Sequence, residues 1–102
     1  MTNLRHKFNA KPTDYQGVRY SSKKEARYAM ELDLRIKDGE VLFYLRQVPF
    51  DLPGNTKYRA DFMEFLSNGE VRIIDVKGYK TPEYKTKKRQ VEALYPVKIE
   101  EC

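Results

Sequence analysis

The turn at residues 67–69 constrains the fold more than any other feature of the sequence. Ser67-Asn68-Gly69 separates two runs of strand-forming residues, 58–66 and 70–77. Two such runs joined by a short turn containing Gly predict an antiparallel β-hairpin. Each run carries a single Asp between apolar neighbours, so the way in which the strands pair decides whether these two acids meet.

The loop length determines which residues face each other across the hairpin. A two-residue Asn-Gly loop would place Arg72 opposite Phe65. A three-residue loop with Gly69 in the left-handed conformation places Arg72 opposite Glu64 instead. We prefer the three-residue loop, because it pairs opposite charges and sets apolar side chains against one another.

Two helices and further short strands surround this hairpin. Ser22 has the features of an N-cap and Gly39 those of a C-terminal stop, which predicts a helix between them. Thr81-Pro82 predicts the start of a second helix that continues to about Tyr95. Other predicted elements are strands over residues 41–52 and 97–101, a small hairpin over residues 15–20, and a basic, loose arm over residues 1–14. The predicted order is helix, three strands, helix, strand.

Length and composition exclude several classes of protein. The chain has 102 residues, which predicts a single domain over residues 1–102. One His and one Cys exclude zinc sites with four Cys or with two Cys and two His, and give poor support to catalysis by a Ser-His or Cys-His pair. The first residues resemble no signal peptide and the longest apolar run is only 41–45, so we expect a cytoplasmic protein without a membrane partner.

Charge is distributed unevenly along the chain. Lys and Arg number 20 against 15 Asp and Glu, a net charge of +5. Residues 1–24 carry six basic side chains and one acidic, residues 77–98 carry seven and two, and residues 31–75 carry six and nine. This pattern fits either a solvated surface or a basic rim that contacts a polyanion around an acidic centre.

In the preferred register, Asp61 lies opposite Asp75 on one face of the hairpin, and Lys77 follows two residues later on that face. Glu25 lies on the apolar stripe of the first helix, one turn before Ala29. Like charges buried together are costly unless a cation or protons relieve them. Hard oxygen ligands suit Mg²⁺ or Mn²⁺, and a neighbouring lysine can stabilise developing negative charge.

Each of these residues also has a structural interpretation. Glu25 completes a capping box with Ser22, and either Asp can simply end a strand. Lys77 can simply pair with one of the acids. The two Asp residues in the middle of apolar strands are harder to explain in this way, because charged residues in such surroundings are rarely buried without a partner.

These residues resemble the motif of the PD-(D/E)xK nuclease superfamily. Asp61 is followed by Asp75-Val76-Lys77, after a helix that carries Glu25. The chain is most similar to small phage-encoded endonucleases of the Holliday-junction-resolvase type. The similarity covers roughly residues 15–100 and includes the segments Ser21-Ser22-Lys23-Lys24-Glu25-Ala26, Gln47-Val48-Pro49-Phe50, Tyr58-Arg59-Ala60-Asp61-Phe62 and Asp75-Val76-Lys77-Gly78, with Thr81, Tyr84 and Lys87-Lys88. Ala60 occupies the position of the Pro for which the motif is named, and many members of the superfamily also lack that Pro.

The resemblance implies a fold, a chemistry and a set of site residues. The fold is α+β, with a restriction-endonuclease-like core in which helices flank a mixed central sheet. The chemistry is hydrolysis of DNA phosphodiester bonds with Mg²⁺, for which Mn²⁺ can substitute. The implied metal ligands are Asp61, Asp75, the Val76 carbonyl and Glu25, and the catalytic groups are Glu25, Asp61, Asp75 and Lys77.

The substrate is a separate question. A chain of this length has no spare element for reading bases, so contacts to the DNA backbone and shape are expected. The basic side chains assigned to them are Lys23, Lys24, Lys80, Lys85, Lys87, Lys88 and Arg89. We expect a homodimer that cuts branched DNA such as a Holliday junction. The alternatives are a nicking or general DNase, a non-catalytic DNA-binding module on the same scaffold, and an enzyme acting on RNA.

Overall fold

A computed structural model describes residues 11–77 and 80–102, so residues 1–10 of the predicted arm lie outside the described part. The elements are β1 (Thr13–Tyr15), β2 (Val18–Tyr20), α1 (Lys23–Lys37), β3 (Val41–Leu52), β4 (Thr56–Leu66), β5 (Val71–Asp75), α2 (Pro82–Leu94) and β6 (Ile99–Glu101). The predicted order of helix, three strands, helix and strand is confirmed, with β1 and β2 as the predicted small hairpin. The last strand begins two residues later than expected.

The main sheet is mixed, as predicted. Its strand order is β3-β4-β5-β6, and only the β5–β6 pair is parallel. The three-residue loop is confirmed: Glu64 lies opposite Arg72, and the Leu66 N–H donates to the Glu70 carbonyl at 2.9 Å. Gly69 has a φ of +94°, in the left-handed region that favours glycine. β3 lies at one edge of this sheet, where a proline such as Pro49 is tolerated.

The two helices pack on opposite faces of this sheet. Neighbouring residues of β5 show this, since Ile74 packs in a cluster with α1 whereas Ile73 packs in a cluster with α2. The predicted stripe of α1 is confirmed, because Ala29 and Leu32 are fully buried and Ile36 packs against the same cluster. Among the described residues, neither helix is long and apolar enough to cross a membrane.

The side chains of β4 change from one core cluster to the other along the strand. Tyr58 and Ala60 belong to the cluster around α2, whereas Phe62 belongs to the cluster around α1. In β3 the same change separates Val48 from Tyr44. Asp61 therefore lies where the two clusters meet, within reach of groups from both helical layers.

The packing of α1 sets the position of Glu25 and can be tested on the helix itself. Leu32→Ala removes a side chain that is 0% exposed, and we expect the free energy of unfolding to fall by about 2–5 kcal/mol. Leu34→Ala is the matched control, because Leu34 is 62% exposed on the same helix. We expect it to change the free energy of unfolding by less than about 0.5 kcal/mol in urea denaturation. Equal losses for the two variants would contradict the described packing.

Candidate active site

Asp61 and Asp75 lie side by side on β4 and at the end of β5, and each uses its carboxylate to bind the neighbouring strand. Asp75 Oδ1 accepts a hydrogen bond from the Asp61 backbone N–H at 3.1 Å. Asp61 Oδ2 accepts one from the Val76 backbone N–H at 2.9 Å. The structure thus brings together the two acids that the preferred hairpin register placed opposite each other.

Burial makes the negative charge of both acids unfavourable. Asp75 is 0% exposed, and its Oδ2 atom has no hydrogen-bond partner among the described residues. Burial raises the pKa of Asp75 to about 6, although the positive charge of Lys77 and the hydrogen bond from Asp61 oppose the rise. Burial also raises the pKa of Asp61, and the negative charge of Glu25 adds to that rise. A cation at this place would relieve both costs.

The backbone of Glu25 takes part in the N-terminal cap of α1, whereas its carboxylate contacts other polar groups. Its backbone N–H donates to Ser22 Oγ at 3.1 Å, so Ser22 is the N-cap of α1 as predicted. Its carboxylate is 1–2% exposed and turns toward β3, where it accepts from Ser21 Oγ at 2.5 Å and lies 3.6 Å from the Arg46 guanidinium. The Glu25 carboxylate therefore belongs to the interior beside β3.

Gln47 is a polar residue of this site that the sequence reasoning did not select. Its Nε2 donates to Glu25 Oε2 at 3.5 Å, and hydrogen bonding by Gln47 opposes the pKa rise of Asp61. Gln47 has a φ of +52°, and its backbone departs from the ladder between the Arg46 and Val48 pairs. Two signals pointed to it: the segment Gln47-Val48-Pro49-Phe50 belongs to the resemblance, and Arg46-Gln47 is a polar pair within a run of strand-forming residues.

Lys77 lies near the acids but contacts an aromatic ring. Its Nζ is 4.7 Å from the ring centroid of Tyr84 in α2, which is a cation–π distance. It forms no ion pair with another described residue. Its charge nevertheless opposes the pKa rise of both Asp61 and Asp75. Lys77 thus lies at the edge of the acidic pair, where its side chain faces the start of α2.

The side chains predicted to contact phosphates divide into two groups. Lys80 and Lys88 lie 3.0 Å and 3.8 Å from the Glu101 carboxylate, and Lys87 lies 3.5 Å from Glu83. Glu101 was not anticipated, because only the pairing of β6 with β5 brings it opposite Asp75. The side chain of Lys24 donates to the Lys77 carbonyl, whereas Lys23, Lys85 and Arg89 are exposed.

The oxygen donors of the acidic pair match part of what Mg²⁺ requires. Asp61 and Asp75 supply hard oxygen ligands, and the unpartnered Oδ2 of Asp75 is a buried acceptor that a cation would satisfy. Within residues 11–77 and 80–102, however, no three acidic, His or Cys side chains are grouped closely enough to form a complete metal site. The pair of Asp residues fits a divalent cation, while Glu25 is held by Ser21 and Arg46.

The chain belongs to a protein family of unknown function, DUF1064, whose model matches residues 5–100. No curated protein matches the chain. No solved structure matches it either. The membership covers nearly the whole chain, and it assigns no activity, so any function rests on the geometry described above.

The raised pKa of Asp75 predicts how stability depends on pH without divalent cations. A carboxyl whose pKa is about 6 when folded and 3.8 when unfolded stabilises the fold at low pH, and this contribution is lost as pH rises through about 6. We expect Asp75→Asn to be more stable than wild type at pH 7.5 in EDTA, on the order of 2 kcal/mol, and the difference to vanish near pH 4. Urea denaturation at both pH values measures this.

Asp38→Asn is the control for that comparison, because Asp38 is an exposed residue at the end of α1. Its stability should follow that of the wild type at both pH values. A stability difference between Asp75→Asn and wild type that stays constant from pH 4 to 7.5 would show that Asp75 does not titrate in this way.

Proposed function

We propose that the protein is a Mg²⁺-dependent endonuclease that hydrolyses phosphodiester bonds in DNA. The observation that carries this proposal is the pair of the half-buried Asp61 and the fully buried Asp75, with a carboxylate oxygen that has no partner among the described residues and Lys77 at its edge. Buried acids with raised pKa values, next to basic side chains, form a combination typical of functional sites. The similarity to the PD-(D/E)xK motif supports the same chemistry.

Each residue has a defined part in this proposal. Asp61, Asp75 and the Val76 carbonyl would hold the cation, which supplies Lewis-acid polarisation of a phosphoryl oxygen and a more acidic bound water. Lys77 stabilises the negative charge that develops on the phosphate, since its ammonium is close enough to the acids to influence their pKa. Glu25 orients polar groups from the α1 side, through Gln47.

The proposed substrate is branched DNA, cut by a homodimer in the cytoplasm of the cell. Basic side chains at the start of α1 and along α2 favour a polyanion, and they point to phosphates more than to bases. β3 is an edge strand that exposes Leu42, Phe43 and Leu45 at 60%, 48% and 47%, an apolar surface suited to a second copy. A nicking or general DNase would use the same site without the branch preference.

A non-catalytic DNA-binding module is the second candidate, and one observation favours it. Both Asp carboxylates accept hydrogen bonds from backbone N–H groups, so they have a structural role in joining β4 to β5. A protein that had kept only this role would bind DNA without cutting it. The two candidates differ in what Asp75 does, and the following experiment separates them.

Cleavage of a labelled four-way junction, beside a linear duplex of the same sequence, tests the proposal with Mg²⁺ or EDTA. We expect paired, Mg²⁺-dependent nicks near the branch for wild type and for Asp38→Asn, and at least about 10²-fold slower cleavage for Asp75→Asn. DNA binding should persist in Asp75→Asn, because the change removes a negative charge near the phosphate. Mg²⁺ should also raise the unfolding temperature of wild type more than that of Asp75→Asn.

The outcomes of that experiment are distinct. Equal cutting of junction and duplex would retain the nuclease and remove the branch preference. Binding without cutting, with either Mg²⁺ or Mn²⁺, would favour the non-catalytic module. Undiminished cutting by Asp75→Asn would overturn the metal-ligand role of Asp75.

Glu25→Gln separates the capping role of Glu25 from its role in the site. The cap is retained, because Ser22 Oγ accepts from the backbone N–H and not from the side chain. We expect cleavage to fall by at least about 10-fold while circular dichroism shows an intact fold, since the carboxylate charge beside Gln47 is lost. Glu31→Gln, an exposed change on the same helix, is the control. Full activity of Glu25→Gln would limit Glu25 to a structural role.

A further inference from the structure

A basic surface cavity of about 200 Å³, largely open to solvent, lies between β4 and the start of α2. Four cationic side chains line it, namely Lys57, Arg59, Lys77 and Lys87, against a single acid, Glu83. Glu83 pairs with Lys87, and Lys57 pairs with Asp51 outside the cavity. Arg59 and Lys77 form no ion pair with any other described residue, so the cavity retains positive charge.

Tyr58 supplies a second, independent feature of this cavity. Tyr58 is one of the residues that line the cavity and is 4% exposed, and its buried hydroxyl has no hydrogen-bond partner among residues 11–77 and 80–102. A buried hydroxyl without a partner costs free energy. A ligand oxygen that enters the cavity deeply enough to accept from the hydroxyl would remove that cost, so Tyr58 favours a ligand that carries acceptors.

The start of α2 favours an anion at the same place. Thr81, the N-cap of this 13-residue helix, also lines the cavity. The positive end of the helix dipole therefore adds to the charge of Arg59 and Lys77. A compact anion with several acceptor oxygens matches the positive charge, the free hydroxyl and the volume together, and a phosphate group has these properties.

We propose that this cavity holds a phosphate of the nucleic-acid strand that flanks the phosphate to be cut. The proposal rests on the proposed function, because it takes the substrate to be nucleic acid. Arg59 precedes Asp61 by two residues along β4, roughly 7 Å of extended backbone. Lys77 follows Asp75 by the same number of residues. A phosphate in the cavity is thus one or two nucleotides from the acidic pair. Binding of that phosphate would determine which phosphodiester bond lies at Asp61 and Asp75.

The test measures binding in EDTA, so that it does not depend on cleavage. Fluorescence anisotropy would follow a labelled DNA oligonucleotide with Arg59→Gln, Tyr58→Phe and the control Arg27→Gln, which removes an exposed arginine from α1. We expect Arg59→Gln to weaken binding roughly 10-fold and to lower the salt dependence by about one phosphate contact. Arg27→Gln should change the affinity less than about 2-fold.

Tyr58→Phe distinguishes a ligand contact from a structural role. We expect roughly 3- to 10-fold weaker binding with an unfolding temperature no lower than that of wild type, because the hydroxyl has no partner in the free protein. Wild-type affinity in both Tyr58→Phe and Arg59→Gln would overturn the proposal. Losses of DNA affinity in these variants no larger than the loss in Arg27→Gln would also overturn it, because the net charge of the protein would then explain the effect.

A further comparison distinguishes a terminal from an internal phosphate. It measures the binding of the same oligonucleotide with and without a 5′-phosphate, and the competition by inorganic phosphate. A preference for the 5′-phosphate that Arg59→Gln abolishes would identify a terminal phosphate, and equal binding would identify an internal one. Binding losses without any Mg²⁺-dependent cleavage would retain the phosphate subsite and reject the nuclease. Mg²⁺-dependent cleavage together with unchanged DNA binding in the cavity variants would retain the nuclease and reject the phosphate subsite.

Discussion

The pairing of the half-buried Asp61 with the fully buried Asp75 on neighbouring strands is the constraint on which the rest of the structure depends. Each carboxylate accepts a backbone N–H of the other strand, or of the residue just after it, so the acids join β4 to β5 through their side chains. These bonds leave Asp75 Oδ2 without a partner in a fully buried position. The raised pKa values of both acids express the cost of burying charge, which hydrogen bonds and Lys77 offset in part and a proton or a cation can offset further.

The two core clusters explain why such a pair is accessible to groups from both helices. Side chains of β3 and β4 change from the α2 cluster to the α1 cluster on either side of Gln47 and Asp61. At that change, α1 contributes Glu25 and α2 contributes the ring of Tyr84, under the ammonium of Lys77. The left-handed backbone of Gln47 interrupts the β3 ladder, and the exposed Gln47 side chain donates to the Glu25 carboxylate from there.

Features that depend on residues close together in the sequence were predicted, and features that depend on distant residues were not. The hairpin register was predicted correctly, because a turn glycine and the Glu64–Arg72 pair are close in sequence and each favours the same loop. The meeting of Asp61 and Asp75 then followed from that register. The conformation of Gln47 and the pairing of β6 with β5 depend on contacts distant in sequence, and no local pattern indicates them.

The same long-range contacts change where positive charge is available to a substrate. A phosphate that approaches the carboxylates of Asp61 and Asp75 is repelled unless cations lie close to them. Lys80 and Lys88, which the sequence analysis assigned to phosphate contact, both form ion pairs with Glu101. Their positive charge is therefore less available to a phosphate. Arg59 and Lys77 keep their charge in the cavity beside the acids, next to the free hydroxyl of Tyr58. Local placement of charge, more than the net charge of the chain, therefore decides whether a phosphate can reach the site.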